Sequence, residues 1–205
     1  LSVPPAVTAA TGVDALTHAI EAYTSRACTV LNEFFAENAV SLISRHLYTA
    51  YSNGSSVPDR EGMLMGSYLA GLSFAIANVG AVHAIAQTIG GRYPVPHGVA
   101  NAVMLPYVME FNQSHCPDKY AKIGELLGVS QESSTQNNAA KAVSAVEELT
   151  RSVGIPRSLR ELEIPEDQLA SLAELCVETQ GRLLVLNPRE TTAEDILGIL
   201  RRAYG

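Results

Sequence analysis

Residues 71–112, GLSFAIANVGAVHAIAQTIGGRYPVPHGVANAVMLPYVMEFN, carry only two charged side chains, Arg92 and Glu110. A stretch so poor in charge has to be buried over most of its length, since each Å² of apolar surface removed from water contributes about 25 cal/mol. It is far too long for one strand, and no alternating period-two pattern of useful length occurs anywhere in the chain. Only helices satisfy both conditions, so the chain is read as all-α, one helical bundle-like domain over residues 1–205. Residues 69–86 approach the length of a membrane span, but Ser73, Asn78, His83 and two glycines interrupt them. They are expected to form a buried core helix instead.

Two histidines, His83 and His97, stand fourteen residues apart in this uncharged region. Imidazole in apolar surroundings favours its neutral form, the form that binds metals. A third, His18, follows Asp14 by four residues in TGVDALTHAIEAY, which puts both on one helix face. One carboxylate and three imidazoles suit a tetrahedral divalent transition metal, so Asp14, His18, His83 and His97 are the candidate ligands. Taken singly, each has a plainer reading. A histidine on an apolar helix face is usually a packed, hydrogen-bonded residue, and a carboxylate early in a helix offsets the dipole. A non-enzymatic helical assembly domain with packed histidines is therefore the alternative. His46 and His115 lie in polar, amphipathic surroundings and are expected to be exposed non-ligands.

The net charge of −7 and pI near 5.2 speak against nucleic acid as a partner. Charged residues make up only 17%, low for a soluble domain; this implies surface buried against a partner chain, such as a homo-oligomer, or against a further part of the protein. Cys28, Cys116 and Cys176 are odd in number and far apart, so neither a disulfide framework nor a zinc ribbon is expected, and a reducing cytoplasm is. The opening at Leu1 shows no basic region followed by an apolar one, hence no expected signal peptide. GxGxxG, GxxxxGK[ST] and GxSxG are all absent, which leaves no visible nucleotide loop or serine elbow.

Helices are expected from residue 7 or 8 to 23, over 31–50, from Pro58 to 77, over 81–89 after a break at Gly80, and over 98–111, where Pro106 interrupts or bends the last. Gly90 and Gly91 should end the fourth. Beyond Asn112 the helices expected are 118–127, 139–153, 166–179 and one ending at 203, capped by Thr191 or Thr192, with a polar loop over 130–138.

TGVDALTHAIEAY, GLSFAIANVGAVHAIAQTIGG, PVPHGVANAVMLPYVMEFN and the late NPRETTAEDILGIL together resemble the iron-containing (group III) alcohol dehydrogenases, and the likeness runs the length of the chain. The resemblance implies the C-terminal helical domain of a dehydroquinate synthase-like fold, with an N-terminal α/β domain that binds NAD(P) lying outside this chain. It implies one divalent metal, Fe²⁺ or a competitor such as Zn²⁺, on Asp14, His18, His83 and His97, and a small alcohol or aldehyde as substrate. Phe74 matches a position lining the substrate pocket, though a core aromatic is an equal reading. The family usually carries a histidine near the nicotinamide four residues after the third ligand; here Gln87 stands there and has no proton to exchange at neutral pH. A metal-dependent lyase or a glycerol dehydrogenase-like member of the same superfamily is the other enzymatic alternative. The isolated domain is expected to be inactive.

Overall fold

Prolines decide several helix starts. Pro5 and Pro117 open α1 (Pro5–Thr24) and α6 (Pro117–Leu126), and Pro58 sits in the first turn of α3 (Val57–Ala77); their missing N–H groups would have no partner there in any case. The other helices are α2 (Val30–Ser52), α4 (Ala81–Arg92), α5 (His97–Asn112), α7 (Thr135–Ser152), α8 (Leu169–Leu184) and α9 (Ala193–Tyr204). A short 3₁₀ turn, Glu166–Gln168, leads into α8. The computed structural model describes residues 1–205 and contains no strand, so the all-α expectation holds.

Helix α1 is the axis of the domain. It is buried nearly all round from Val13 to Thr24, the pattern of a helix surrounded by others, and α2, α3 and α5 pack along it. Its C-terminal end is tied down by polar side chains. Asn32 Nδ2 donates to the Ala22 carbonyl at 3.0 Å, and Ser25 Oγ donates to the Ala77 carbonyl at 2.8 Å. Close approach of α5 to α1 depends on Gly98, where a Cβ would lie 2.6 Å from the Ala10 carbonyl oxygen. That contact brings the first residue of α5, His97, against α1.

Four expected boundaries shift, the first at α1, which starts at Pro5 rather than at residue 7 or 8. Gly90 and Gly91 lie inside α4, which runs on to Arg92. Neither glycine takes a positive φ, so neither forms a left-handed cap; the helix stops because Tyr93 precedes Pro94 and is held extended at φ −129°, ψ 148°. The polar loop ends earlier, because Ser134 caps α7 by accepting from the Asn137 amide. Helix α8 extends to Leu184, with a kink at Gln180, so residues 183–186 form a helix end and a turn. Pro106 lies within α5 without dividing it.

The apolar run 69–86 divides between two helices at the break expected near Gly80. It breaks at residues 78–80, where Asn78 takes a positive φ of 59°, a conformation that asparagine tolerates better than most residues, and α3 and α4 meet at 99°. No single helix is long and apolar enough to cross a membrane. The two halves differ sharply. Every residue of α4 from Ala81 to Ala86 is buried, whereas α3 buries only Gly66, Ala70, Ser73 and Ala77 and leaves Leu64, Met65 and Tyr68 exposed.

Candidate metal centre

Three helices deliver the candidate ligands. Asp14 and His18 lie on consecutive turns of α1, His83 is the third residue of α4, and His97 is the first of α5. One donor atom each from Asp14, His83 and His97 falls within 4.8 Å of the others. Asp14 Oδ1 is 3.7 Å from His83 Nε2 and 3.7 Å from His97 Nε2. Metal–ligand bonds of about 2.1 Å in a tetrahedron place donor pairs about 3.4 Å apart, so this spacing suits a single cation with a shift of a few tenths of an ångström.

His18 stands beside this group. Its Nδ1 donates to the Asp14 carbonyl at 2.8 Å, which leaves Nε2 as its free nitrogen, and its ring lies 4.3 Å from the His83 ring and 4.6 Å from that of Phe74, centre to centre. Burial pushes the His18 imidazole below its ordinary pKa, with His83 adding to the shift and Asp14 opposing it. Phe74 is part-exposed and lines, with Thr11, Asp14, His18, Ser67 and Gly71, a groove between α1 and α3. Gln87 is half-buried one turn beyond His83.

Burial grades across the site. The His83 side chain is 3% exposed, Asp14 20% and His97 48%, so the centre is closed at α4 and open at the start of α5. The deep end is held by groups that periodicity alone did not single out. Glu21 is buried, and its Oε2 lies 2.5 Å from His83 Nδ1 while its Oε1 accepts from the Val82 amide at 2.7 Å. With Nδ1 engaged, His83 Nε2 points toward Asp14, buried and without a hydrogen-bond partner. Buried polar atoms rarely lack partners, and an unpartnered imidazole nitrogen facing a carboxylate and a second imidazole fits a cation's ligand. Asn101 is fully buried, donates to Asp14 Oδ1 at 2.6 Å, and places the same nitrogen 3.0 Å from His97 Nε2.

Two of these supports had a signal in the sequence. Glu21 follows Asp14 by seven residues and Asn101 follows His97 by four, so each shares a helix face with a candidate ligand. The remaining histidines lie elsewhere. His115 is exposed; His46, expected to be exposed, is half-buried and bonded to Asp59 at 2.8 Å, because it packs over Gly62 between α2 and α3. All three cysteines are free, and burial pushes the Cys116 and Cys176 thiols up to about 11, which leaves them unreactive at neutral pH.

The fold and the site together define an all-helical domain in which α1, the buried start of α4 and the open start of α5 bring one carboxylate and two imidazoles within reach of each other. The profile described as "Fe-containing alcohol dehydrogenase family, C-terminal" matches residues 8–204. The chain is 43% identical to 1,3-propanediol dehydrogenase of Klebsiella pneumoniae over 202 residues, covering 98% of the chain and 52% of that protein. It is also 43% identical to long-chain-alcohol dehydrogenase 1 of Geobacillus thermodenitrificans, covering all of the chain and 52% of the relative. A crystal structure of 1,3-propanediol oxidoreductase superposes with a TM-score of 0.96 at 42% identity, over 99% of this chain and 53% of that one. The chain belongs to the Fe-containing alcohol dehydrogenase family and corresponds to its C-terminal part. It spans about half the length of the relatives it matches.

Proposed function

We propose that this chain is the metal-binding domain of an NAD(P)-dependent alcohol dehydrogenase or aldehyde reductase. The observation that carries the proposal is the convergence of Asp14 Oδ1, His83 Nε2 and His97 Nε2 around one point, with His83 Nε2 buried and unpartnered. Asp14, His83 and His97 hold a divalent cation there, and His18 is the fourth donor through Nε2. Fe²⁺ is the cation the family name implies, and Zn²⁺ competes for the same donors. Bound there, the cation supplies Lewis-acid polarisation of an alcohol or carbonyl oxygen.

The chain's own side chains do the rest. Asn101 restrains the Asp14 carboxylate, while His18 and Phe74 wall the groove on the α1–α3 side and orient a small alcohol or aldehyde. Approach is from the open His97 side. Gln87 has no proton to relay, so proton exchange with solvent uses another route. A nicotinamide would supply the hydride chemistry if held by a separate dinucleotide-binding domain, so the 205 residues by themselves turn over negligibly.

The test is a metal titration of the purified chain with elemental analysis. One equivalent of Fe²⁺ or Zn²⁺ is expected, lost in His83→Ala and in His97→Ala and weakened less in His18→Ala. A folded wild-type chain that takes up neither ion would overturn the reading. NADH-dependent aldehyde reduction by this chain, at the rate of the full-length relatives, would overturn the two-domain part alone.

A further inference from the structure

Helix α4 starts without a cap of its own. Gly80, at its N-terminal boundary, has no side chain to accept from the first amides, and those amides are buried among apolar residues where water cannot satisfy them. Two distant side chains do so instead. Glu21, on α1, accepts from Val82 N through Oε1 at 2.7 Å and from His83 N through Oε2 at 3.4 Å. Asn187, in the turn before α9, accepts from Ala81 N at 3.4 Å. Asn187 is itself locked by paired side-chain hydrogen bonds with Asn112, 2.9 and 2.8 Å long. A carboxylate at a helix N-terminus is favoured by the dipole as well.

The same Glu21 Oε2 also faces His83 Nδ1 at 2.5 Å. A carboxylate accepts only, so the proton of a neutral His83 ring sits on Nδ1 and the lone pair on Nε2. Because Glu21 grips both the ring and the backbone amide of that residue, it fixes the ring's angle as well as its tautomer. Nε2 itself has no hydrogen-bond partner, the Asp14 carboxylate oxygen it faces lying beyond hydrogen-bond reach at 3.7 Å.

We propose that Glu21 is a positioning residue for the cation site: by accepting from the His83 ring and from the first amides of α4, its carboxylate aims His83 Nε2 at Asp14 and His97. The inference rests on the metal reading above and names the residue that gives the site its deep, rigid end. Carboxylates behind ligating histidines raise metal affinity by about 10- to 100-fold.

In Glu21→Gln the amide has one oxygen for two kinds of donor. If the oxygen stays on the Val82 amide, the NH₂ group confronts His83 Nδ1 and drives the proton to Nε2, where it blocks coordination. The experiment is Zn²⁺ competition against a chromophoric chelator for wild type and Glu21→Gln, with ¹⁵N spectra of the histidine rings and circular dichroism of both. The expected result is a 10- to 100-fold weaker Zn²⁺ affinity in a variant that keeps its helix content, with a changed tautomer signal for His83. A residue that merely capped α4 would lower the melting temperature and leave the affinity and the ring proton of the folded protein alone; that outcome overturns the inference. The metal-free wild type supplies a measurement independent of whether the variant folds: a His83 proton found on Nε2 overturns it too. If wild type binds Zn²⁺ and the variant binds it equally, only this inference falls. If wild type binds none, the metal reading falls with it.

Discussion

Helices α4 and α9 are the same length, twelve residues each, yet they begin in opposite ways. Helix α9 carries its own cap: Thr192 accepts from the Asp195 amide while the Asp195 carboxylate accepts from the Thr192 amide at 3.0 Å. Everything it needs lies within four residues of sequence. Helix α4 begins on a glycine and borrows its acceptors from residues 61 and 106 positions away. A locally capped helix can form wherever it docks. One capped through tertiary contacts has a correct start only when α1, α4 and the turn before α9 are all in place, and the candidate metal ligand His83 sits on that start. Placing the ligand there couples the geometry of the centre to completion of the fold.

The contrast can be broken most strongly at Asn187. Asn187→Ala removes the partner of Asn112 and the acceptor for Ala81, leaving buried polar groups unpaired. At about 1–3 kcal/mol for each orphaned group, a loss of roughly 3 kcal/mol is expected in urea denaturation, with weakened Zn²⁺ binding alongside. Gly80→Ala comes next. A Cβ there would meet Asn187 Oδ1 at 3.1 Å and Glu21 Oε1 at 3.2 Å, and both oxygens are pinned by their own hydrogen bonds. A destabilisation of about 1–2 kcal/mol follows from forcing them apart; unchanged stability would show that the start of α4 is softer than its bonding suggests.

Thr192→Ala sharpens the comparison from the other side. Loss of the α9 cap should cost about 1 kcal/mol and leave Zn²⁺ affinity untouched, since the cap makes no contact with the centre. The smallest effect is acid sensitivity of the same cap. Burial alone would raise the Asp195 carboxyl, but the Thr192 amide and hydroxyl, with Arg189, hold it below its ordinary value. A depressed carboxylate contributes stability that is present above its unfolded pKa, about 3.9, and is lost as pH falls through the folded value. The melting-temperature gap between wild type and Asp195→Asn should therefore be constant near neutrality and close below about pH 4. A gap that persists under acid would show that the Asp195 charge is not what stabilises the cap.

The helices were legible because their signals are local. Pro58 opens one helix, Thr192 caps another, and apolar residues recur at helical spacing, so every expected helix is present, though α1 starts at Pro5, ahead of the expected residue 7 or 8. Errors fell where two local signals conflicted. Gly90 and Gly91 look like a stop, yet the restriction that Pro94 places on Tyr93 sets the end. Asn137 and Asn138 look like loop, yet Ser134 caps a helix through them.

The candidate site divides in the same way. Donor chemistry and the four-residue step from Asp14 to His18 are properties of a short segment, and they single out the side chains without any fold. What the sequence by itself determined is therefore the helices, most of their ends, and the kinds of donor they carry. Only the tertiary structure decided that the two helices meeting within residues 69–86 would turn by 99°, one half-buried and the other buried. It alone decided, too, that His83 would meet Glu21 behind it and Asp14 and His97 in front. The reason is physical: helix periodicity is set by hydrogen bonds four residues apart, whereas a contact across 62 residues depends on how several apolar faces exclude water together.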